Sequence, residues 1–263
     1  MINRPTYLNQ LINFKDKDLI KVITGIRRCG KSSLLELFAQ YLKSQNIKDK
    51  NIIQMNFESL EYDNLTYKDF YELIKEKSNK ANGKLYLLLD EIQKLESWEL
   101  AVNSLRVDLD VDIYLTGSNA YLLSSQLSTY LSGRYVEIKM QPLSFKEFLT
   151  FYDLTDKTKE EQFNLYLQFG GMPGLKDLNF DFQMINQTLE GIYSTVIMKD
   201  VINQASIRDP HLLKKVTTFL ADNIGNSTSI NNIKNVLVSE KAITKGTTTG
   251  VIDQYIGFLE KAF

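Results

Sequence analysis

Leu85-Tyr86-Leu87-Leu88-Leu89 is apolar at every position, the pattern of a strand buried on both faces rather than one that alternates. Four further β-rich runs, Leu19–Thr24, Asn51–Phe57, Asp112–Thr116 and Tyr135–Met140, join Lys84–Asp90 as predicted strands. Between them lie amphipathic stretches at Lys31–Gln45, Tyr67–Ser78 and Trp98–Val107. In the first, Leu34, Leu35, Phe38, Tyr41 and Leu42 recur at helical spacing and mark one buried face. Strands that alternate with helices predict an α/β fold, a parallel sheet covered by helices on both faces.

After Pro142 the strand signal fades. Helices are predicted at Ser144–Tyr152, Lys159–Phe169, Phe182–Asn203 (weakened at Gly191), His211–Asn223, Ser229–Leu237 and Thr247–Phe263. Phe163, Tyr166, Leu167 and Phe169 crowd one side of the second of these, as packing residues do, and Trp98 reads as the anchor of the helix it opens. Gly170-Gly171-Met172-Pro173-Gly174 is the densest run of punctuation, read either as a hinge or as an ordinary loop. The organisation expected is a head at residues 1–153, a helical lid or linker at 154–205 and a helical domain at 206–263. Val251, Ile252, Tyr255, Ile256, Leu259 and Phe263 carry a helical stripe to the last residue with no stop signal, the pattern of a chain that continues.

A length of 263 residues with 43% hydrophobic and 24% charged residues accommodates about two globular domains and excludes a disordered or low-complexity chain. The apolar runs fall far short of the roughly 20 residues that span a bilayer, and Met1–Pro5 lacks the core of a secretory signal. With one cysteine, Cys29, and one histidine, His211, there is neither an internal disulfide nor a Cys/His metal cluster, so a soluble cytoplasmic protein is expected. Thirty-one Lys and Arg against 32 Asp and Glu leave a net charge of −1, which supplies no global drive toward nucleic acid.

Candidate chemistry begins at the end of the first strand. Gly25-Ile26-Arg27-Arg28-Cys29-Gly30-Lys31-Ser32 fits G-x-x-x-x-G-K-[ST], between an apolar strand and an amphipathic helix. In that setting backbone N–H groups and the positive helix end converge on phosphate, and the glycines allow close approach. Lys31 is expected on the β- and γ-phosphates, and the Ser32 hydroxyl on Mg²⁺. Gly25, Arg27, Arg28, Cys29, Gly30 and Ser33 complete the predicted nucleotide contacts, although an arginine placed as Arg27 and Arg28 are is more often just solvated than in contact with phosphate or a neighbouring subunit. Asp90 and Glu91 close the Leu85–Leu89 strand; with the phosphate loop beside them, Asp90 is expected to hold Mg²⁺ and Glu91 to act on the attacking water. Ser118 and Asn119, after Asp112–Thr116, serve either as contacts to the γ-phosphate or attacking water or as an N-cap of the next helix. Arg134 is either a surface residue at a strand start or an arginine set against the γ-phosphate, and from a neighbouring copy it would couple catalysis to assembly. Cys29, beside Lys31 and a helix N-terminus, is either an activated thiol or a buried inert one.

Gly25–Leu35, Leu87-Leu88-Leu89-Asp90-Glu91-Ile92-Gln93-Lys94 with Trp98, Leu115-Thr116-Gly117-Ser118-Asn119-Ala120, Leu131-Ser132-Gly133-Arg134-Tyr135 and Pro142–Phe148 together resemble the prokaryotic AAA-type ATPases that carry a C-terminal domain of unknown function. The resemblance is clear over residues 18–175 and weaker through Lys199-Asp200 and Arg208 to the end. It implies a P-loop NTPase head of the additional-strand type, with sheet order 5-1-4-3-2 and the Asp90 strand not adjacent to the Lys31 strand. It also implies a helical lid after Pro142 and then a winged-helix-like module, incomplete here. By resemblance Gly30, Lys31 and Ser32 contact nucleotide, Asp90 binds magnesium, Glu91 is the catalytic acid, Ser118 or Asn119 the sensor and Arg134 the arginine finger of a homo-oligomer.

The leading expectation is an Mg²⁺-dependent ATPase, with catalysis by Lys31, Glu91, Asn119 and Arg134, that couples ATP and ADP states to movement of its lid. A slow signalling or defence switch that binds ATP is the second reading. A DNA-acting module built on Ser229–Leu237 and Thr247–Phe263 is the third, but seven Lys/Arg against five Asp/Glu in residues 201–263 make no phosphate-tracking face.

Overall fold

The computed structural model describes residues 4–117, 131, 133–196, 201–202, 207, 209–241, 243 and 248–262. It divides into two compact units, Met1–Thr188 and Leu189–Phe263.

The first unit is built on five parallel strands: β1 (Ile20–Thr24), β2 (Ile52–Asn56), β3 (Leu85–Asp90), β4 (Val111–Gly117) and β5 (Tyr135–Lys139), in the order β2-β3-β4-β1-β5. This is the 5-1-4-3-2 order read from the other edge. The strand of the phosphate loop and the acidic strand flank β4 and do not touch. Because all five strands run the same way, their carboxyl ends, where ligands sit in open α/β sheets, lie along one edge.

Strand alternation sorts the core into two layers. Leu85, Leu87 and Leu89 of β3 and Ile113 and Leu115 of β4 join one apolar cluster. Tyr86, Leu88 and Tyr114 from the same strands join the other. The first layer is closed by α3 (Tyr67–Lys80) through Phe70 and Ile74, and by α4 (Trp98–Asp108) through Trp98, Ala101, Val102 and Leu105. The second is closed by α2 (Lys31–Ser44), whose Leu34, Leu35, Phe38 and Leu42 form the buried stripe, and by α1 (Pro5–Asn13). Helix α1 was not among the predicted elements: its nine residues bury a single fully enclosed side chain, Leu11, too short a stripe to stand out in the chain.

One buried ion pair interrupts the apolar second layer. Lys21, fully enclosed in β1, donates to Asp112 of β4 and to the Lys17 carbonyl at 2.9 Å. The second Asp112 oxygen accepts from the Asp16 N–H at 2.8 Å and the Tyr114 hydroxyl at 2.9 Å. The network sits at the amino ends of the strands, away from the phosphate loop, and fastens the 14–18 turn under the sheet.

After β5 come α5 (Phe145–Tyr152) and α6 (Lys159–Phe169), each opened by a reciprocal capping box, Ser144 with Glu147 and Thr158 with Glu161. They pack through Phe148, Leu143, Leu154, Tyr152 and Tyr166. Helix α7 (Phe182–Thr195) covers the described start of the predicted Phe182–Asn203, of which residues 197–200 and 203 lie outside the described residues, and it passes through Gly191 unbroken. A glycine inside a helix costs only about 1 kcal/mol, which flanking burial at Ile185 and Ile192 offsets. In the second unit α8 (Pro210–Asp222), α9 (Ile230–Ser239) and α10 (Thr249–Ala262) enclose Leu213, Val216, Ile233, Leu237, Ile252 and Leu259. Among its described residues this unit contains helices and no strand.

Candidate nucleotide-binding site

The loop between β1 and α2 takes its shape from what lies behind it. Gly25 has φ +147°, and a Cβ there would stand 2.2 Å from the Met140 carbonyl oxygen, so the strand exit tolerates no side chain. Gly30 has φ +103° and stands at the N-cap of α2, where it offers no capping side chain to the first-turn N–H groups. Those donors, with the positive helix end, form an anion cradle. Arg28 has φ +65°, a conformation that asparagine and glycine adopt more easily than arginine, as happens where a loop is held for function.

Lys31 is 4% exposed, and its ammonium donates to the carbonyls of Gly25 at 2.9 Å and Ile26 at 3.1 Å. The Glu91 carboxylate is 3.9 Å away. A buried ammonium whose hydrogen bonds end on neutral carbonyls keeps most of its charge available to an anion. Ser32 and Ser33 are exposed on the first turn of α2. Beside them a cleft of about 430 Å³ is lined by Ser32, Glu36, Gln40, Asn56 and Asp90, so a hydroxyl and a carboxylate share one opening. These hard oxygen donors suit Mg²⁺, which takes one or two protein ligands together with phosphate oxygens and water.

Asp90 and Glu91 are both largely buried at the tip of β3. Their arrangement depends on Thr116, to which the sequence reading assigned no role. The Thr116 hydroxyl, fully enclosed at the end of β4, donates to Asp90 Oδ1 and accepts the Glu91 N–H at 3.0 Å. Glu91 has φ +53°, left-handed for a residue with a side chain, and the Thr116 contact holds it there. Gln93 donates to Glu91 Oε2, leaving Oε1 as the atom that faces Lys31. The one signal for Thr116 is its position, a polar residue closing an apolar strand whose neighbours end in a phosphate loop and an acidic pair.

The other predicted residues fall in different places. Arg27 is half-buried, its guanidinium 4.0 Å from the Glu58 carboxylate, whereas Arg28 is exposed. Cys29 is enclosed among apolar side chains; burial pushes its thiol above the ordinary value, outweighing Lys31 and Arg4, and leaves an inert packing group rather than an activated thiol. Ser118 and Asn119 lie outside the described residues. Arg134 is exposed, and its carbonyl accepts the Ile20 N–H at the start of β1, the end of that strand remote from the phosphate loop. Within one chain it does not join Lys31 and Glu91. Among the described residues no helix is long and apolar enough to cross a membrane.

A family model described as an AAA domain matches residues 17–149, and one described as a domain of unknown function (DUF8612) matches residues 160–263. An uncharacterised protein of Haemophilus influenzae is 45% identical over 266 residues, covering 100% of this chain and 65% of its own length. An uncharacterised protein of Methanocaldococcus jannaschii is 33% identical over 231 residues, covering 83% of this chain and 50% of its own length. The chain thus spans between half and two thirds of these relatives. Among solved structures, a Walker-type ATPase of Pyrococcus abyssi is similar with a TM-score of 0.62 at 17% identity, over 100% of this chain and 90% of that one, a likeness of fold. The chain therefore belongs to the AAA-type P-loop ATPases, with a head continued by a domain of unknown function.

Proposed function

We propose that this protein binds ATP with Mg²⁺ and hydrolyses it, using the turnover to move the helices that follow β5. The observation that carries the reading is the Lys31 ammonium, buried behind the phosphate loop with the Glu91 carboxylate 3.9 Å away. Lys31 and the first-turn N–H groups of α2 would hold the β- and γ-phosphates, and Ser32 with Asp90 would hold the metal. The bound metal would supply neutralisation of charge on the phosphate oxygens. Glu91, one oxygen anchored by Gln93 and its backbone pinned by Thr116, would orient the attacking water and receive its proton. Asn119 or Ser118 would act as sensor. Arg134, exposed at the far end of β1, reaches a γ-phosphate only on another copy, so its catalytic role entails a homo-oligomer. The helices of residues 154–205 would be the moving lid and residues 206–263 the module it carries.

ATP turnover and nucleotide binding, measured on the wild type and two variants, test the proposal. Lys31→Ala is expected to abolish binding. Glu91→Gln is expected to bind ATP as tightly as wild type while turnover falls at least 100-fold, the scale of a lost general base. Turnover unchanged in Glu91→Gln removes Glu91 from the chemistry, and binding unchanged in Lys31→Ala removes the nucleotide from the loop.

A further inference from the structure

Arg4 is a buried charge with no part in the chemistry above. It precedes α1, is 3% exposed, and has all five N–H donors of its guanidinium engaged. Nε and Nη2 form a bidentate pair with the two oxygens of Glu147, at 2.9 and 3.0 Å. Nη1 donates to the carbonyls of Cys29 at 3.2 Å and Gln141 at 2.8 Å, and Nη2 also reaches the Pro142 carbonyl at 3.3 Å. The Tyr7 ring lies against the guanidinium, 4.5 Å from its centroid, and the Tyr7 hydroxyl accepts the Gln141 N–H at 3.1 Å. Only a planar fork satisfies this set of acceptors; a lysine has three donors at a single point.

The acceptors come from the two segments that nucleotide turnover has to connect. Cys29 belongs to the phosphate loop. A trans peptide is planar, with its C=O and N–H on opposite sides, so holding the Cys29 carbonyl also sets the direction of the Gly30 N–H at the head of α2. Met140, next to Gln141, backs the same loop, with its carbonyl against Gly25 and its methyl group 3.4 Å from where a Gly30 Cβ would stand. On the other side Glu147, the third residue of α5, completes the capping box with the N-cap Ser144: its Oε2 accepts the N–H and the hydroxyl of Ser144, both at 2.9 Å, as well as Arg4. The intervening Leu143 donates its N–H to the Gly171 carbonyl at 2.7 Å, and a Cβ on Gly171 would stand 2.3 Å from the Leu143 oxygen. The chain from the loop to α5 is therefore held tightly at each step, and the Arg4 side chain bonds to both ends.

We infer that Arg4 is a positioning residue that couples the phosphate loop to the start of α5, so that occupancy of the loop by nucleotide is transmitted to the helices after β5. The inference rests on the nucleotide reading of the loop. A purely structural staple would also hold these segments together, but its loss would change stability without changing how α5 responds to nucleotide.

Backbone amide exchange, followed by mass spectrometry on the whole protein with and without saturating AMPPNP and Mg²⁺, separates the two. In the wild type the analogue is expected to slow exchange both at residues 25–33 and at 145–152. In Arg4→Lys, which keeps the charge but not the fork, the analogue binds about tenfold more weakly, the scale of one lost charge-assisted bond. At saturation the loop still slows, while the slowing at α5 drops at least fivefold. Glu147→Gln gives the same loss at α5 although glutamine preserves the capping box, so fraying of the helix does not explain it. Slowing at α5 equal to wild type in both variants overturns the inference, as does a wild-type α5 that ignores the analogue while the loop responds. A wild-type loop that ignores the analogue instead overturns the nucleotide reading itself.

Discussion

Thr116→Val is the sharpest test of how the acidic strand tip is held. The substitution keeps shape and β-propensity and removes one hydroxyl, which has no access to solvent and makes two bonds, to the Asp90 carboxylate and from the Glu91 N–H. The lost bond to a charged acceptor is worth about 1.5–3 kcal/mol, and the buried Glu91 amide left without a partner about 1–3 kcal/mol more. No water can take the place of the hydroxyl, so the expected loss of stability is about 3–5 kcal/mol. For a unit of this size that corresponds to a fall in melting temperature on the order of 10 °C. Released from Thr116, Glu91 also loses what keeps it left-handed, a conformation that costs about 1–2 kcal/mol. Turnover should therefore fall at least tenfold, since about 1.4 kcal/mol of lost alignment is already a factor of ten. Calorimetry gives the first quantity and a coupled phosphate-release assay the second. Thr116→Ser, which restores the hydroxyl, should recover most of both. A valine variant that melts within 2 °C of wild type and turns over normally, or a serine variant as impaired as valine, refutes the reasoning.

Asp112→Ala leaves Lys21 as an unpaired buried cation, and urea denaturation should show a loss of about 3–5 kcal/mol; replacing both partners with apolar residues should recover much of it, and a single-variant loss below about 1 kcal/mol counts against the network. Arg134→Ala and Lys31→Ala proteins, each inactive alone, should regain part of the ATPase rate when mixed, because a shared site then forms from one intact loop and one intact arginine; absence of complementation excludes a role in trans. Burial raises the carboxyl pKa of Glu147, but the Arg4 and Ser144 hydrogen bonds outweigh it and hold the group below its ordinary value. A depressed folded-state value gives stability that is fully present above the unfolded value, near 4.5, and is lost as pH falls through the folded one. The stability gap between wild type and Glu147→Gln should thus stay constant from pH 6 to 8 and narrow below about 4.5; a gap that persists unchanged to pH 3 contradicts the assignment.

Much of the candidate site is legible in the sequence because its residues come in two short consecutive runs. Lys31 and Ser32 follow a glycine loop between a strand and a helix, and Asp90 and Glu91 end an apolar strand. Local geometry then leaves few directions for the side chains. Even the strand order was read from resemblance to a family rather than from periodicity, which reports which faces are buried but not which strands are neighbours. The short helix α1 is not legible in the chain, because a single enclosed side chain, Leu11, makes no periodic stripe.

What the chain alone determined is the chemistry on offer: a phosphate loop, an acidic strand end, and the alternation that buries β3 on both faces. What only the tertiary structure decided is who holds these groups in place. Thr116 acts on Asp90 and Glu91 across 26 and 25 residues because β4 lies between β1 and β3. Arg4 binds Glu147 across 143 residues because the amino-terminal segment returns beneath the loop. Hydrogen bonds are directional and short, so a buried donor is satisfied only when separate segments arrive within about 3 Å of it. No spacing along a sequence encodes that arrival, which is a property of the assembled sheet and the helices packed on it.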